Sequence, residues 1–163
     1  EQNLVDCSRE NWACFCGSTA WALDDIAKIG GIESEKDYPY NADEGVCAFR
    51  KKGAVMTDLG SVLLHKKHDD AIKEVLAKYG PIAVIVDTSK DFLQYKSGIF
   101  NNNDCGVNVN HELLLIGYDT DPKEGDYWIL KNEWSTDWGE EGYMRIKCGL
   151  CGIGIMSTIA KFE

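Results

Sequence analysis

The sequence predicts an α+β domain, and three observations lead to this prediction. Two stretches before residue 80 carry apolar residues at helical spacing. Five short apolar or alternating runs, bounded by Gly, Asp and Asn, follow after residue 81. No repeat or low-complexity linker divides the 163 residues, whose 44% hydrophobic and 27% charged content is typical of one globular domain or a large part of one.

The first helix is predicted over residues 18–29. Ser18 or Thr19 can cap its start, and Gly30 begins a Gly-Gly pair that ends it. Residues 33–45 are polar and rich in turn formers, which predicts a loop. The apolar residues that recur at helical spacing are Leu23, Ile26 and Ala27.

A second helix is predicted over residues 69–79, where the early Asp70 suits the helix dipole and Gly80 stops the helix. Its apolar stripe consists of Ile72, Val75, Leu76 and Tyr79. The predicted strands span residues 82–86, 112–118, 127–131, 143–147 and 153–159. Their spacing and the turn signals between them favour an antiparallel, barrel-like sheet.

The chain is acidic, since 17 Lys and Arg residues against 27 Asp and Glu residues leave a formal net charge of −10. This charge repels phosphate backbones and anionic lipid headgroups, so we expect neither nucleic acid nor a membrane as a partner. The longest apolar runs, such as residues 82–86 and 113–116, fall far short of the roughly 20 residues that cross a bilayer.

Seven cysteines are heavy usage for this length and indicate disulfides in an oxidising compartment. They lack the paired CxxC spacing of a structural zinc site, and we expect no metal. Because seven is odd, at least one thiol is free or bonded outside the chain. The sequence starts at Glu1 with neither an initiator Met nor a basic-then-apolar leader, so we expect an excised or incomplete piece of a longer precursor.

Three histidines are candidates for acid–base chemistry. His65 and His68 stand in a polar run before the second helix, where solvated side chains are expected. His111 opens an apolar strand, so its imidazole stands at the mouth of a sheet, although a structural histidine is the alternative. By residue type alone, Asn132 is a turn residue and Trp134 is a core aromatic.

Several short motifs follow one another along nearly the whole chain: Glu1 to Cys7, Gly30-Gly31-Ile32, Tyr38-Pro39-Tyr40, Asp91-Phe92 with Tyr95, Gly98-Ile99-Phe100, Asn110-His111, Gly117-Tyr118, the run from Tyr127 to Tyr143, and Cys151-Gly152-Ile153. Each motif is weak alone. In this order and at these spacings they resemble the papain-like cysteine peptidases, and the cathepsin L-like branch most closely.

The resemblance implies a papain-like two-lobed fold of the α+β class. Residues 1–60 would be the remainder of a helical lobe, which would be incomplete. Residues 61–163 would form an antiparallel β-barrel-like lobe that carries the histidine and the asparagine. Together they would make one peptidase domain that lacks its N-terminal part.

The resemblance also assigns catalytic roles. A cysteine thiol, with a pKa of about 8.5, must be held as thiolate against an imidazolium to attack a peptide carbonyl well at acidic or neutral pH. His111 would be this partner and later the acid for the leaving amine. Asn132 would orient the imidazole through a hydrogen bond, and Trp134 would shield that bond from water.

The nucleophile's signature in this family, Cys-Gly-Ser/Ala-Cys-Trp/Tyr, does not occur in the sequence. We therefore expect a missing N-terminal segment to supply the cysteine of a peptide-hydrolysing endopeptidase, and this chain alone to be inactive. The alternative is a catalytically inactive homologue that serves as a binding, structural or storage protein. Four departures from the family pattern motivate it: Cys16, Glu112, Glu133 and Ser135.

The groove for a peptide or protein substrate would, by resemblance, be lined by Gly17, Ser18, Thr19, Val84, Val109, Glu112, Trp134 and Met156. Cys7 would pair with Cys47, and Cys105 with Cys151. Cys14 matches a cysteine whose partner lies in the missing segment, so a disulfide-linked N-terminal fragment of the same precursor is an expected partner. The resemblance requires no cofactor and implies a secreted, lysosomal or endosomal protein.

Overall fold

The computed structural model describes residues 1–162, which separate into two compact units. The first unit is Glu1–Val62 together with residues 160–162, and the second is Leu63–Ile159. None of the described helices has the length and apolar character needed to cross a bilayer, and the two longest have 11 residues each.

The first unit contains two helices, a short 3₁₀ turn and a two-stranded antiparallel sheet. Helix α2 (Thr19–Ile29) confirms the first predicted helix, and Gly30 ends it with a φ of 94°, a left-handed conformation that favours glycine. Of the two predicted capping residues, Ser18 occupies the N-cap position, although its side chain makes no capping hydrogen bond. The elements are α1 (Gln2–Cys7), α2 (Thr19–Ile29), β1 (Ile32–Glu33), the 3₁₀ turn Lys51–Gly53 and β2 (Ala54–Met56).

Buried polar side chains and a disulfide hold the first unit together. The Oδ1 atom of Asn3 accepts a hydrogen bond of 2.8 Å from the backbone N–H of Glu33. The fully buried side chain of Glu33 in turn accepts two hydrogen bonds, of 3.1 and 2.9 Å, from the guanidinium of Arg50. The predicted disulfide between Cys7 and Cys47 is present and joins the end of α1 to the loop between β1 and the 3₁₀ turn.

The second unit is built around a seven-stranded sheet, and its first and last strands extend by one or two residues beyond the bounds of the unit. The elements are β3 (Ser61–His65), α3 (Asp69–Tyr79), β4 (Ile82–Val86), α4 (Lys90–Leu93), β5 (Ile99–Phe100), β6 (His111–Asp121), β7 (Gly125–Lys131), β8 (Tyr143–Lys147) and β9 (Met156–Ala160). The strand order is β3-β9-β4-β6-β7-β8-β5. The pairs β4–β9, β4–β6, β6–β7 and β7–β8 are antiparallel, whereas the two-residue β5 runs parallel to β8.

The predicted bounds hold for α3, β4 and β8, while β6 and β7 are longer than predicted. The last predicted strand, residues 153–159, is wrong at its start. It begins only at Met156, because Cys151, Gly152 and Gly154 adopt positive φ angles and form turns. Few helices and a large, mostly antiparallel sheet confirm the predicted α+β class.

Strand β4 supplies the centre of the core, since Ile82, Val84 and Val86 are each at most 1% exposed. In the β4–β6 register these residues lie opposite Leu115, Leu113 and His111, respectively. Paired residues of antiparallel strands point to the same face of the sheet. His111 therefore lies at the end of the buried face.

Candidate active site

His111 and Asn132 come together because two neighbouring strands run in opposite directions. His111 is the first residue of β6, and Asn132 directly follows Lys131, the last residue of β7. The imidazole Nε2 of His111 lies 3.0 Å from Oδ1 of Asn132. The structure thus brings together the two residues predicted to be catalytic, although 21 positions separate them.

The amide of Asn132 is fixed in the orientation that such a pair needs. Its Oδ1 also accepts a hydrogen bond of 3.0 Å from the backbone N–H of Glu133, so this atom acts as the acceptor for both groups. Nε2 of His111 must then carry the proton, which leaves Nδ1 as the nitrogen free to exchange one. The backbone N–H of Asn132 donates to the carbonyl of Gly142 at 2.9 Å.

Trp134 covers one face of the imidazole. The rings of Trp134 and His111 stack with their centroids 4.7 Å apart and an angle of 26° between planes. Trp134 is held there by edge contacts with Phe92 and Trp138, and the indole N–H of Trp138 donates to the carbonyl of Leu93 at 3.1 Å. This aromatic support was not predicted, although Phe92 belongs to one of the motifs.

The residue before the imidazole is fixed by contacts that sequence reasoning missed. Oδ1 of Asn110 accepts hydrogen bonds from the backbone N–H and the hydroxyl of Thr88, at 3.1 and 2.8 Å. The N–H of Asn110 donates to the carbonyl of Val86 at 2.8 Å. Thr88 lies 22 positions upstream in a polar stretch, and no spacing signal marks it in the sequence.

The loop after Asn132 is anchored by an ion pair. Glu140 accepts hydrogen bonds from both Nε and Nη2 of Arg145, at 2.9 and 2.5 Å, and from the N–H of Gly98 at 2.8 Å. The hydrogen bond from Arg145 lowers the pKa of the Glu140 carboxyl and outweighs the opposing effect of burial. The same hydrogen bond raises the pKa of Arg145.

A second acceptor stands beside the imidazole. Oε1 of Glu133 lies 3.4 Å from Nε2 of His111, and the side chain of Glu133 is 65% exposed. In the residues that the structure describes, no lysine or arginine lies within ion-pair distance of Glu133. The carboxylate therefore adds negative charge to the site.

The predicted groove residues of the second unit divide between two faces of the sheet. Val84 was predicted to line the groove, and this is wrong, because it is only 1% exposed and packs on the buried face opposite Leu113. Its neighbour Ile85 lies opposite Glu112, on the other face. Continuing the β4–β9 register by one residue places Met156 opposite Ile85.

The remaining predicted groove residues belong to both units, and each unit is described by itself. Val109 is partly exposed in the loop before β6 and contacts Gly152. In the first unit, Gly17, Ser18 and Thr19 help to line an open pocket of about 210 Å³ at the start of α2.

The second predicted disulfide, Cys105–Cys151, is present. Cys14 and Cys16 are exposed, Cys148 is half-buried, and none of the three has a disulfide partner within residues 1–162. Burial, together with the negative charge of Asp69, raises the pKa of the Cys148 thiol to about 12. Across the same residues, no group of three or more His, Cys, Asp and Glu side chains could hold a metal ion.

Comparison with known proteins identifies a family. The sequence model of the protein family described as "Papain family cysteine protease" matches residues 1–161. The chain is 39% identical over 165 residues to a cathepsin L-like peptidase of Aedes aegypti, covering 97% of this chain and 49% of that protein. It is 40% identical over 163 residues to procathepsin L of Mus musculus, covering 92% and 48%. The chain spans about half the length of these curated relatives.

Solved structures show the same fold. Digestive procathepsin L2 proteinase from the larval midgut of Tenebrio molitor superposes with a TM-score of 0.92 at 32% identity, covering 99% of this chain and 52% of that one. The bromelain protease of Ananas comosus, in complex with the E64 inhibitor, gives a TM-score of 0.90 at 33% identity, covering 99% and 77%. The predicted papain-like fold is confirmed, and the chain belongs to the papain family of cysteine proteases.

Proposed function

We propose that this chain is the larger part of a papain-like cysteine endopeptidase domain that hydrolyses peptide bonds. The observation that carries the proposal is the 3.0 Å contact between His111 Nε2 and Asn132 Oδ1 beneath the indole of Trp134. This arrangement fixes the imidazole plane and its tautomer, which a general acid and base needs.

In this mechanism His111 transfers the protons, and Asn132 positions the ring of His111. His111 takes the proton of a cysteine thiol through Nδ1, and the resulting thiolate attacks the peptide carbonyl carbon. The imidazolium then gives this proton to the leaving amine, and an acyl-enzyme thioester remains. His111 next deprotonates a water molecule, which attacks the thioester carbonyl. The C–S bond breaks, the acid product leaves, and the imidazolium returns its proton to the cysteine sulfur. Asn132 keeps the ring in position throughout.

We assign the nucleophilic cysteine to an N-terminal segment of the same precursor. Four of the seven cysteines here form disulfides, and burial keeps the Cys148 thiol protonated. Cys14 is exposed and has no disulfide partner among the described residues, so it is available to bond the segment. The relatives, which are about twice as long as this chain, support an additional segment.

The apolar outer face of β6 also supports a covering segment. Leu114 and Ile116 alternate with the buried Leu113 and Leu115, and both remain more than one-third exposed. The outer face of an antiparallel sheet that meets water is normally polar. A helix or loop packed on Leu114 and Ile116 would remove this apolar surface from water.

The test compares this chain alone with the precursor expressed from its own coding sequence. Intact mass before and after reduction reports whether a smaller fragment is bonded to the chain, and Cys14→Ser should release it. A thiol-directed epoxide should label the assembled protein on the smaller fragment but leave this chain unlabelled. The assembled protein should cleave a peptide substrate, and His111→Ala should abolish cleavage.

A second candidate function is a non-catalytic homologue that binds peptides without cleaving them. The observation in its favour is the carboxylate of Glu133 beside the imidazole. An assembled protein that contains the additional cysteine, binds peptides and neither cleaves them nor reacts with the epoxide would establish this candidate and contradict the first.

We also propose a secreted or lysosomal/endosomal location. The two disulfides support it, because such bonds form and persist in oxidising compartments. Microscopy of the tagged precursor in its own cells, with markers for secretory and lysosomal compartments, tests this location.

A further inference from the structure

Glu133 places a carboxylate next to the imidazole of His111, and among the described residues no lysine or arginine pairs with it. Its Oε1 is 3.4 Å from Nε2 of His111, while its backbone N–H is bonded to the same amide oxygen that holds the imidazole. The backbone contact fixes the position of the Glu133 main chain. Because the side chain is 65% exposed, its carboxylate is accessible to a bound molecule.

A substrate must pass close to this carboxylate if the proposed peptidase activity holds. His111 delivers a proton to the leaving amine, so the residue that follows the cleaved bond lies nearest to the imidazole. Nε2 and Nδ1 belong to one small ring, so a carboxylate 3.4 Å from Nε2 lies within one Debye length, about 8–10 Å, of the leaving amine. A charged side chain at that substrate position is therefore within electrostatic range of Glu133.

Two other charged groups near the imidazole, the thiolate and Glu112, do not cancel the negative charge of Glu133. Once His111 is protonated, its charge is already matched by the thiolate that it activates, and the carboxylate of Glu133 is left as excess negative charge. Glu112 also follows His111 in β6, but strand alternation directs it to the opposite face of the sheet. Glu133 is thus the carboxylate that contacts the imidazole.

We propose that Glu133 is a specificity-determining residue that makes the site prefer peptides with Lys or Arg directly after the cleaved bond and disfavour Asp or Glu there. The inference rests on the proposed peptidase function and deepens it by naming a substrate class. Charges that interact near a protein surface change binding and rate by modest factors, so we expect a preference of roughly tenfold between Arg and Glu peptides at low salt.

The test uses the assembled precursor-derived enzyme and three peptides that differ only in the residue after the cleaved bond, namely Arg, Gln or Glu. The ratio of kcat/KM for the Arg and Glu peptides should be about tenfold in the unmodified enzyme and should shrink at high salt because of screening. Glu133→Gln should bring this ratio to within about twofold. Glu133→Ser, which removes the carboxylate with a smaller side chain, should do the same.

Glu74→Gln is the matched control, because it removes one carboxylate from the exposed side of α3. It should leave the ratio unchanged. A ratio near one in the unmodified enzyme, or one that survives both substitutions at Glu133, overturns the inference. Failure to cleave even the Gln peptide contradicts the proposed peptidase function itself, so the two failures are distinguishable.

Discussion

A single oxygen, Oδ1 of Asn132, holds Nε2 of His111 at 3.0 Å and is itself oriented by the N–H of the next residue. Because the imidazole is restrained from one edge by this amide, we expect Asn132→Ala to lower kcat of the assembled enzyme on the order of 10²-fold. KM should change little, since Asn132 is only 7% exposed and offers a substrate little surface to bind. Steady-state kinetics on one peptide tests this, and an unchanged kcat would contradict the orienting role.

The ion pair between Glu140 and Arg145 should make stability depend on pH. The pKa of Glu140 is lowered in the folded protein, so its contribution is fully present above the unfolded pKa of about 4.5 and is lost as pH falls through the lower folded value. We expect Glu140→Gln to reduce the free energy of unfolding by about 1–3 kcal/mol at pH 7 and by much less at pH 3.

Urea unfolding of the assembled protein at pH 7, 5 and 3 measures this difference. Glu74→Gln serves as the control, because this exposed glutamate should affect stability by less than about 0.5 kcal/mol. An equal loss at pH 7 and pH 3 for Glu140→Gln would show that packing, rather than charge, accounts for its effect.

The disulfide between Cys105 and Cys151 should stabilise the part of the chain that carries the site. Its sequence separation is 46, and the enclosed loop contains both His111 and Asn132. A cross-link of this span typically contributes about 2–4 kcal/mol by restricting the unfolded chain. We expect Cys105→Ala with Cys151→Ala to lower the free energy of unfolding by that amount, while Cys148→Ala, which breaks no disulfide, has a smaller effect.

The thiol of Cys148 should resist alkylation in the folded protein. Burial and the nearby Asp69 raise its pKa to about 12, so the reactive thiolate is scarce at pH 8. We expect iodoacetamide to modify Cys148 at least on the order of 10²-fold more slowly than it modifies an ordinary exposed thiol. Peptide mass spectrometry over time measures the rate, and the difference should disappear in denaturant. Rapid modification of the native protein would disprove the protected environment.

The strongly periodic helices and the motif series could be predicted from the sequence, while strand faces could not. Residues 82–86 form an uninterrupted apolar run, and such a run carries no alternation that distinguishes one face of a strand from the other. Val84 was assigned to the groove by family resemblance, and the run offered no alternation to correct this, whereas the register shows that Ile85 shares a face with Glu112.

The contacts that support the site could not be predicted from the sequence either. The two-residue strand β5 is too short to leave a pattern, and its parallel partner β8 lies more than 40 positions away. Likewise, the hydrogen bonds from Thr88 to Asn110 depend on where two loops meet after folding. The pairing of His111 with Asn132 was predictable only through the family resemblance, because sequence spacing alone does not reveal antiparallel neighbours.

In a compartment rich in peptidases, the disulfide between Cys105 and Cys151 would keep the site together after one cut of the chain. The exposed turn between β6 and β7, near Lys123, lies inside the loop that this bond closes. A nick there would place His111 and Asn132 on different fragments, yet both fragments would stay joined through the sulfur bridge. The protein can therefore be cut at this turn without losing either of the two residues on which its proposed chemistry depends.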